Sequence, residues 1–188
     1  MTSDLLAVLD TCVLIPAVLR DTLLRLAEHP RLYLPRWSDE IIAETVRNLQ
    51  NRIGLSAEKT DYLVAQMRRH FADSWVYGYE RLVAAMDNHP KDRHVLAAAV
   101  KCGAQVIVTY NKRDFPAAAT EPWDIEVQGP STFLKYQYDL DPSLVLDKLQ
   151  SQARDLGRTL QQQLAVLHKA APAFVDAISR DLEVPPKA

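Results

Sequence analysis

The 188-residue chain is 48% hydrophobic and 24% charged, which suits one soluble globular domain with its own core and excludes a disordered chain. A net charge of −2 gives no bulk attraction to nucleic acid, so a polyanion would have to be held by a local basic patch or through metal ions. Cys12 and Cys102 make no disulfide framework, MTSDLLAVLD lacks the features of a secretion signal, and no apolar run approaches the roughly 20 residues of a membrane span. The expectation is a reduced, cytoplasmic protein with no membrane insertion.

Residues 5–10, LLAVLD, are nearly all apolar and end in an acid, which predicts a strand buried on both faces. Residues 12–29 read as a helix broken near Arg20, with Leu23, Leu24, Leu26 and Ala27 on its apolar face and EHP as its stop. LYLP at 32–35 is a second strand. Ser38 is placed to cap the next helix, with Asp39 and Glu40 in the first turn, where the helix dipole favours acids. Ile41, Ile42, Val46 and Leu49 carry that helix to about Arg52; Gly54 breaks it, and SAEKTDYLVAQMRRHF starts another behind a serine. Between 74 and 90 the pattern is mixed: YERLVAAMD favours helix, whereas DNHPKD is a turn because Pro90 excludes a continuous helix.

In DRHVLAAAVKCGAQVIVTYNKRDFP, residues 92–116, Val95, Leu96, Ala98, Ala99 and Cys102 make an apolar helical face. Gly103 fits the left-handed position after the last turn, and QVIVTY is a buried strand. IEV at 125–127 adds a strand, and Pro130 opens a helix through Tyr136. From Asp141, Leu144, Leu149, Leu156, Leu160, Leu164 and Leu167 recur at helical spacings, giving one long or kinked helix with Gly157 as its weak point, then a final helix from about Pro172 to Leu182. The order of elements predicts an α/β sandwich with a mainly parallel sheet over residues 1–138, and a helical C-terminal extension over 139–188 that packs on the domain or on a partner.

In open parallel sheets, functional residues gather just past the carboxyl ends of the strands. Asp10 ends the first strand, Asp114 follows QVIVTY by a short loop, Asp92 opens the helix feeding that strand, and Glu44 lies on the helix after the second strand. Each has an ordinary structural use: Asp92 as an N-cap, Asp10 as a polar strand end, Asp114 as a turn former before Pro116, and either Glu44 or its neighbour Glu40 as a solvated helix residue. Together, carboxylates a few ångströms apart repel unless a cation neutralises them. A hard divalent ion such as Mg²⁺ or Mn²⁺ prefers such oxygen ligands and pairs them with substrate phosphates, which points to phosphoryl chemistry.

LDTCVLI, DEIIAETVRNL, DRHVLAAAV and VIVTYNKRDFP, in that order, resemble the four acidic blocks of the PIN-domain family, especially its VapC-type toxin branch, over roughly residues 5–135. The resemblance implies a three-layer α/β/α fold and a metal-dependent endoribonuclease, often dimeric, inhibited by a cognate antitoxin. It makes Asp10 and Asp92 the principal metal ligands, Glu44 the acid of the second block with Glu40 as fallback, and Asp114 the fourth acid, with Asn111 able to share that duty. Thr11 and Thr109 have hydroxyls suited to orienting a carboxylate or water. Cys12 departs from the Asn or Ser frequent in relatives, and reads as a small core residue because a thiol is a poor Mg²⁺ ligand.

Lys91, Arg93, Lys112 and Arg113 flank the acids and are placed to meet RNA phosphates, although some serve equally as helix-surface charges. Tyr110 and Trp37 are candidates both for base stacking and for the core, and His89 and His94 for packing or catalysis. A haloacid-dehalogenase-type phosphotransferase would need an acid where Cys12 stands, and a receiver domain has no use for acids on two helices. A catalytically silent PIN-like module that binds RNA or protein is the alternative to the nuclease.

Overall fold

The computed structural model describes residues 5–183. Its strands are β1 (Leu6–Leu9), β2 (Leu34–Ser38), β3 (Trp75–Val76), β4 (Val106–Val108) and β5 (Glu126–Gln128), in the sheet order β3-β2-β1-β4-β5. Every pairing among the described residues is parallel. Successive residues of a strand face opposite sides of the sheet, and Ala7, Val8 and Leu9 all have zero exposure. Both faces are therefore covered, as the continuous apolar runs predict, in a three-layer α/β/α arrangement.

Connecting helices α1 (Thr11–Leu14), α2 (Ala17–Ala27), α3 (Asp39–Asn51), α4 (Ala57–His70) and α5 (Arg93–Cys102) link the first four strands. The break after α1 falls at Pro16, not near Arg20: proline cannot supply the helical N–H, and the Arg20 guanidinium instead donates to the freed carbonyls of Leu14 and Ile15 at 2.6 and 3.2 Å. The second strand also lies later than 32–35, because buried Leu32 and Tyr33 serve the loop that leads into the sheet. Ser38 accepts from the Ile41 N–H at 3.2 Å and starts α3 directly at the strand end. Gly103 takes φ +67°, the left-handed value required between α5 and β4.

Two differences lie in the stretch of mixed pattern. Trp75 and Val76 form the edge strand β3, and residues 80–85 wind as a 3₁₀ turn instead of an α-helix. Trp75 packs edge-on against fully buried Trp37, so tertiary contact sets a two-residue strand too short to carry a sequence period. Trp37 is thereby a core residue and offers no face to a base.

After β5, reached through the short helix α6 (Ala117–Thr120), come α7 (Pro130–Leu140), α8 (Pro142–Asp155), α9 (Leu160–His168) and α10 (Pro172–Glu183). The helix from Pro130 extends past Tyr136 to Leu140, and Gly157, at φ +63°, separates α8 from α9. Buried Gln152 of α8 accepts from Thr22 at 2.9 Å and donates to the Val18 carbonyl at 3.2 Å, fixing α8 on α2. Val145, Leu149, Leu164, Leu167 and Phe174 belong to the same buried cluster as the strand residues. Leu149→Ala is expected to cost about 2–5 kcal/mol, as large-to-small changes in packed cores do, and to shift a single cooperative urea transition. Two separated transitions would show the C-terminal helices to be an independent unit.

Candidate active site

Parallel register decides where the first acid stands. Leu9 pairs with Val108, so the next residues, Asp10 and Thr109, emerge side by side at the carboxyl ends of β1 and β4. Backbone bonds still hold both: Asp10 N–H to the Val108 carbonyl at 3.1 Å, and Thr109 N–H to that of Gln128 at 2.9 Å. Thr109 Oγ1 then donates to Asp10 Oδ2 at 2.7 Å, a charge-assisted hydrogen bond. Cys12 Sγ donates to the same oxygen at 3.1 Å, lies 3.2 Å from Thr109 Oγ1 and accepts from the Tyr110 N–H at 3.2 Å. Asp10 is 3% exposed, yet no hydrogen bond reaches its Oδ1 among the described residues.

Cys12 is thus more than core filling. Its thiol is half-buried, and burial, followed by the charge of Asp10, pushes it up to about 12. It stays protonated near neutral pH and can donate to the carboxylate.

A second acid arrives on α3. Thr11 shares its proton between the Ile41 carbonyl at 3.2 Å and Glu44 Oε2 at 3.3 Å, joining the residue after Asp10 to this helix. Asp10, Thr11, Glu44, Asp92 and Asn111 line one cleft of about 200 Å³, together with Cys12, Asn48 and Arg52. Asn48 and Arg52 went unnoticed in the sequence, although they follow Glu44 at intervals of four, the helical repeat of one face. Glu40 is absent from this lining and accepts from the Tyr79 hydroxyl at 3.3 Å. His94, 6% exposed, stands 3.9 Å from Glu40 and 3.8 Å from Glu44, beyond hydrogen-bond range, and its Nδ1 is unpartnered.

Asp92 occupies the N-cap position of α5, but its side chain makes no cap hydrogen bond. Its Oδ2 lies 3.2 Å from His89 Nδ1, and His89, Asp92 and Asp114 each bring a donor atom within 4.8 Å of the other two. Burial raises the Asp92 carboxyl above the usual aspartate range, the charges of Asp10 and Asp114 raise it further, and His89 opposes them. Asp92 thus links the two groups: it lines the cleft with Asp10 and lies within 4.8 Å of Asp114, which lines a neighbouring depression.

The flanking cations are placed differently from one another. Lys112 and Arg113 are exposed and share a depression of about 360 Å³ with Tyr110, Asn111 and Asp114. Lys91 is also exposed, whereas Arg93 turns back to donate from Nε to the Asn88 carbonyl at 3.4 Å. Tyr110, 44% exposed, donates from its hydroxyl to the Ala170 carbonyl at 2.8 Å, tying the loop after β4 to the turn between α9 and α10. The carboxylate, hydroxyl and amide oxygens of the cleft are a hard donor set that fits Mg²⁺ or Mn²⁺, with Arg52 as the cation among its lining residues. The unused Asp10 Oδ1 and the repulsion felt by Asp92 fit such an ion as well.

The family model described as "PIN domain" matches residues 7–113, more than half of the chain. The chain belongs to the PIN-domain family. That match takes in Asp10, Glu44, Asp92 and Asn111 and stops one residue before Asp114. The chain is also 52% identical over 67 residues to "Putative ribonuclease VapC50" of Mycobacterium tuberculosis (strain ATCC 25618 / H37Rv), an alignment covering 36% of this chain and 40% of that protein. Less than half of that relative's length is therefore spanned. No solved structure matches at a significant level.

The PIN-domain crevice carries a measurable pH dependence. Because Asp92 has a higher pKa folded than unfolded, the native state binds more protons in that window, and this group's penalty on the metal-free protein is relieved as pH falls through the folded value. Asp92→Asn is expected to be more stable than wild type at pH 7 in chelator, with the difference shrinking on acidification; urea titrations from pH 7 to pH 4 check it. An Asp92→Asn protein less stable at pH 7 would contradict the repulsion.

Proposed function

We propose that the protein is a divalent-metal-dependent endoribonuclease that hydrolyses RNA phosphodiester bonds, and that it is the toxin of a type II toxin–antitoxin pair. The observation that carries this reading is the convergence on Asp92: it lines one cleft with Asp10 and Glu44 at the carboxyl end of the sheet, and its carboxylate lies within 4.8 Å of donor atoms of Asp114 and His89. Asp92 makes no cap hydrogen bond, so capping α5 does not account for this acid. Family membership and the likeness to a relative named as a ribonuclease and VapC support the same reading.

In this reading Asp10, Glu44, Asp92 and Asp114 hold Mg²⁺ or Mn²⁺, with Asn111 adding an amide oxygen. The bound ion supplies a water of lowered pKa and neutralises charge gathering on the phosphate. Thr109 and Cys12 fix the Asp10 carboxylate through Oδ2, which leaves Oδ1 for the metal. Thr11 does the corresponding work for Glu44. Lys112 and Arg113, exposed beside Asp114, are the cations placed to take RNA phosphates on either side of the cut. Arg93, drawn back to Asn88, contributes less.

A homodimer, a cognate antitoxin as partner and a cytoplasmic location complete the proposal. Among the described residues no helix is long and apolar enough to cross a membrane.

Purified free of any partner, the protein is expected to cut single-stranded RNA with Mn²⁺ or Mg²⁺ and to stop in chelator. Asp10→Ala and Asp92→Ala should abolish cutting while the circular dichroism spectrum is retained. Undiminished cleavage by both variants would sink the mechanism. A folded protein that binds RNA but neither takes up Mn²⁺ in calorimetry nor cuts would be the silent RNA-binding module instead. Growth arrest on induction, relieved by co-expressing the product of the adjacent gene, is the expected sign of the antitoxin.

A further inference from the structure

The four acids leave out His89, which the fold brings together with Asp92 and Asp114. We propose that His89 is a nitrogen ligand to the cation held by Asp92 and Asp114, and that it makes the site prefer Mn²⁺ over Mg²⁺. The inference rests on the crevice being a metal site, as argued above.

Geometry is the first support. Ligands about 2.1 Å from an octahedral ion stand about 3.0 Å apart when adjacent and about 4.2 Å apart when opposite. His89 Nδ1 and Asp92 Oδ2 are 3.2 Å apart, an adjacent pair, and the spread of 4.8 Å over the three donors closes with movements of less than an ångström.

The backbone holds the ring there. His89 N–H donates to the Asp114 carbonyl at 2.9 Å, and the His89 carbonyl accepts from the Asp92 N–H at 2.9 Å. The residue carrying the imidazole is therefore bonded through its main chain to both residues carrying the carboxylates. Pro90 restricts the chain on one side, and Asn88, 3% exposed, anchors it on the other. The ring itself is 45% exposed, so an ion can reach it from solvent. Lys91 N–H approaches Nδ1 at 3.4 Å, a long contact in which this nitrogen is the acceptor. In the tautomer with no proton on Nδ1 for Asp92, that lone pair is the one a metal would use, displacing the long amide contact.

Chemistry sets the preference. Imidazole suits Zn²⁺, Cu²⁺, Fe²⁺ and Ni²⁺ best, and Mg²⁺ and Mn²⁺ both favour oxygen, but Mg²⁺ demands near-ideal geometry and gives up its waters reluctantly, so a nitrogen donor counts against Mg²⁺ first. An all-carboxylate crevice would discriminate little between Mg²⁺ and Mn²⁺. A nitrogen among the donors shifts the balance toward Mn²⁺. The plain alternative is that His89 only pairs with Asp92 and leaves the ion untouched.

Pulsed electron paramagnetic resonance of Mn²⁺ bound to the full-length protein separates the two. The expected spectrum shows ¹⁴N modulation that changes to a ¹⁵N pattern when the protein is made with ¹⁵N-histidine and disappears in His89→Gln. Calorimetry should show the Mn²⁺ affinity of His89→Gln lowered by at least about tenfold, the scale of change when even outer-shell partners of a metal ligand are removed, with Mg²⁺ affinity altered much less. Mn²⁺ binding to wild type without nitrogen coupling would overturn the role of His89 and leave the acidic metal site standing. Coupling that persists in His89→Gln would assign it to another histidine and overturn the proposal equally. Absence of Mn²⁺ binding altogether would remove this inference together with the metal-dependent reading on which it stands. A wild-type spectrum without nitrogen coupling overturns the role of His89 with no substitution at all, and if His89→Gln folds poorly, loss of the coupling in His89→Asn assigns it instead.

Discussion

The 2.7 Å hydrogen bond from Thr109 to Asp10 exists only because β1 and β4 are parallel neighbours with Leu9 opposite Val108. A slip of one residue would turn every side chain of one strand to the other face and separate the two groups. A carboxylate that is 3% exposed needs such a partner, since burying an unpaired charge is among the most costly events in folding. A hydrogen bond to a charged group contributes about 1.5–3 kcal/mol, and here it also selects which oxygen of Asp10 is left free. The thiol of Cys12, the amide of Tyr110 and the amide of Asn111 all extend from this pair, so the loop after β4 takes its course from the sheet register.

Around that fixed carboxylate the fold assembles charge that does not suit a resting protein. Glu44 reaches the cleft because α3 starts immediately at the end of β2, with Ser38 capping it. Asp92 reaches it because its side chain leaves the amides of α5 uncapped. The second arrangement costs stability: an N-cap forgone is a loss of about 1 kcal/mol, and burial together with the charges of Asp10 and Asp114 holds the Asp92 carboxyl above its ordinary value. Unfavourable charge collected at one place is a usual mark of a working site.

The fold and the acids were legible for different reasons. β1 and β4 could be read because they are buried on both faces and leave unbroken apolar runs, and α3 because a capping serine, two first-turn acids and a helical apolar repeat agree. β3 was not legible, since two residues placed by the contact of Trp75 with Trp37 carry no period. The position of the break after α1 was misjudged because Arg20 looked like an interruption, when its guanidinium serves the carbonyls that Pro16 leaves free. Asp10 and Asp92 could be picked out from their places at a strand end and a helix start, whereas the choice of Glu44, inside α3, over Glu40 and the mention of Asn111 came from the family resemblance; all four line the cleft. What Cys12 does could not be read, because a thiol reads as apolar until a carboxylate, a hydroxyl and an amide are seen around it.

The bond from Tyr110 to the Ala170 carbonyl joins two parts of the chain with different histories of resemblance. Tyr110 lies within the stretch matched to the family, and Ala170 lies well beyond it. The height of the loop bearing Asn111, Lys112, Arg113 and Asp114 is thus set partly by a helical turn outside the shared pattern. A change in α9 or α10 can therefore move the rim over the acids while every acid stays in place, through residues that do not line the cleft.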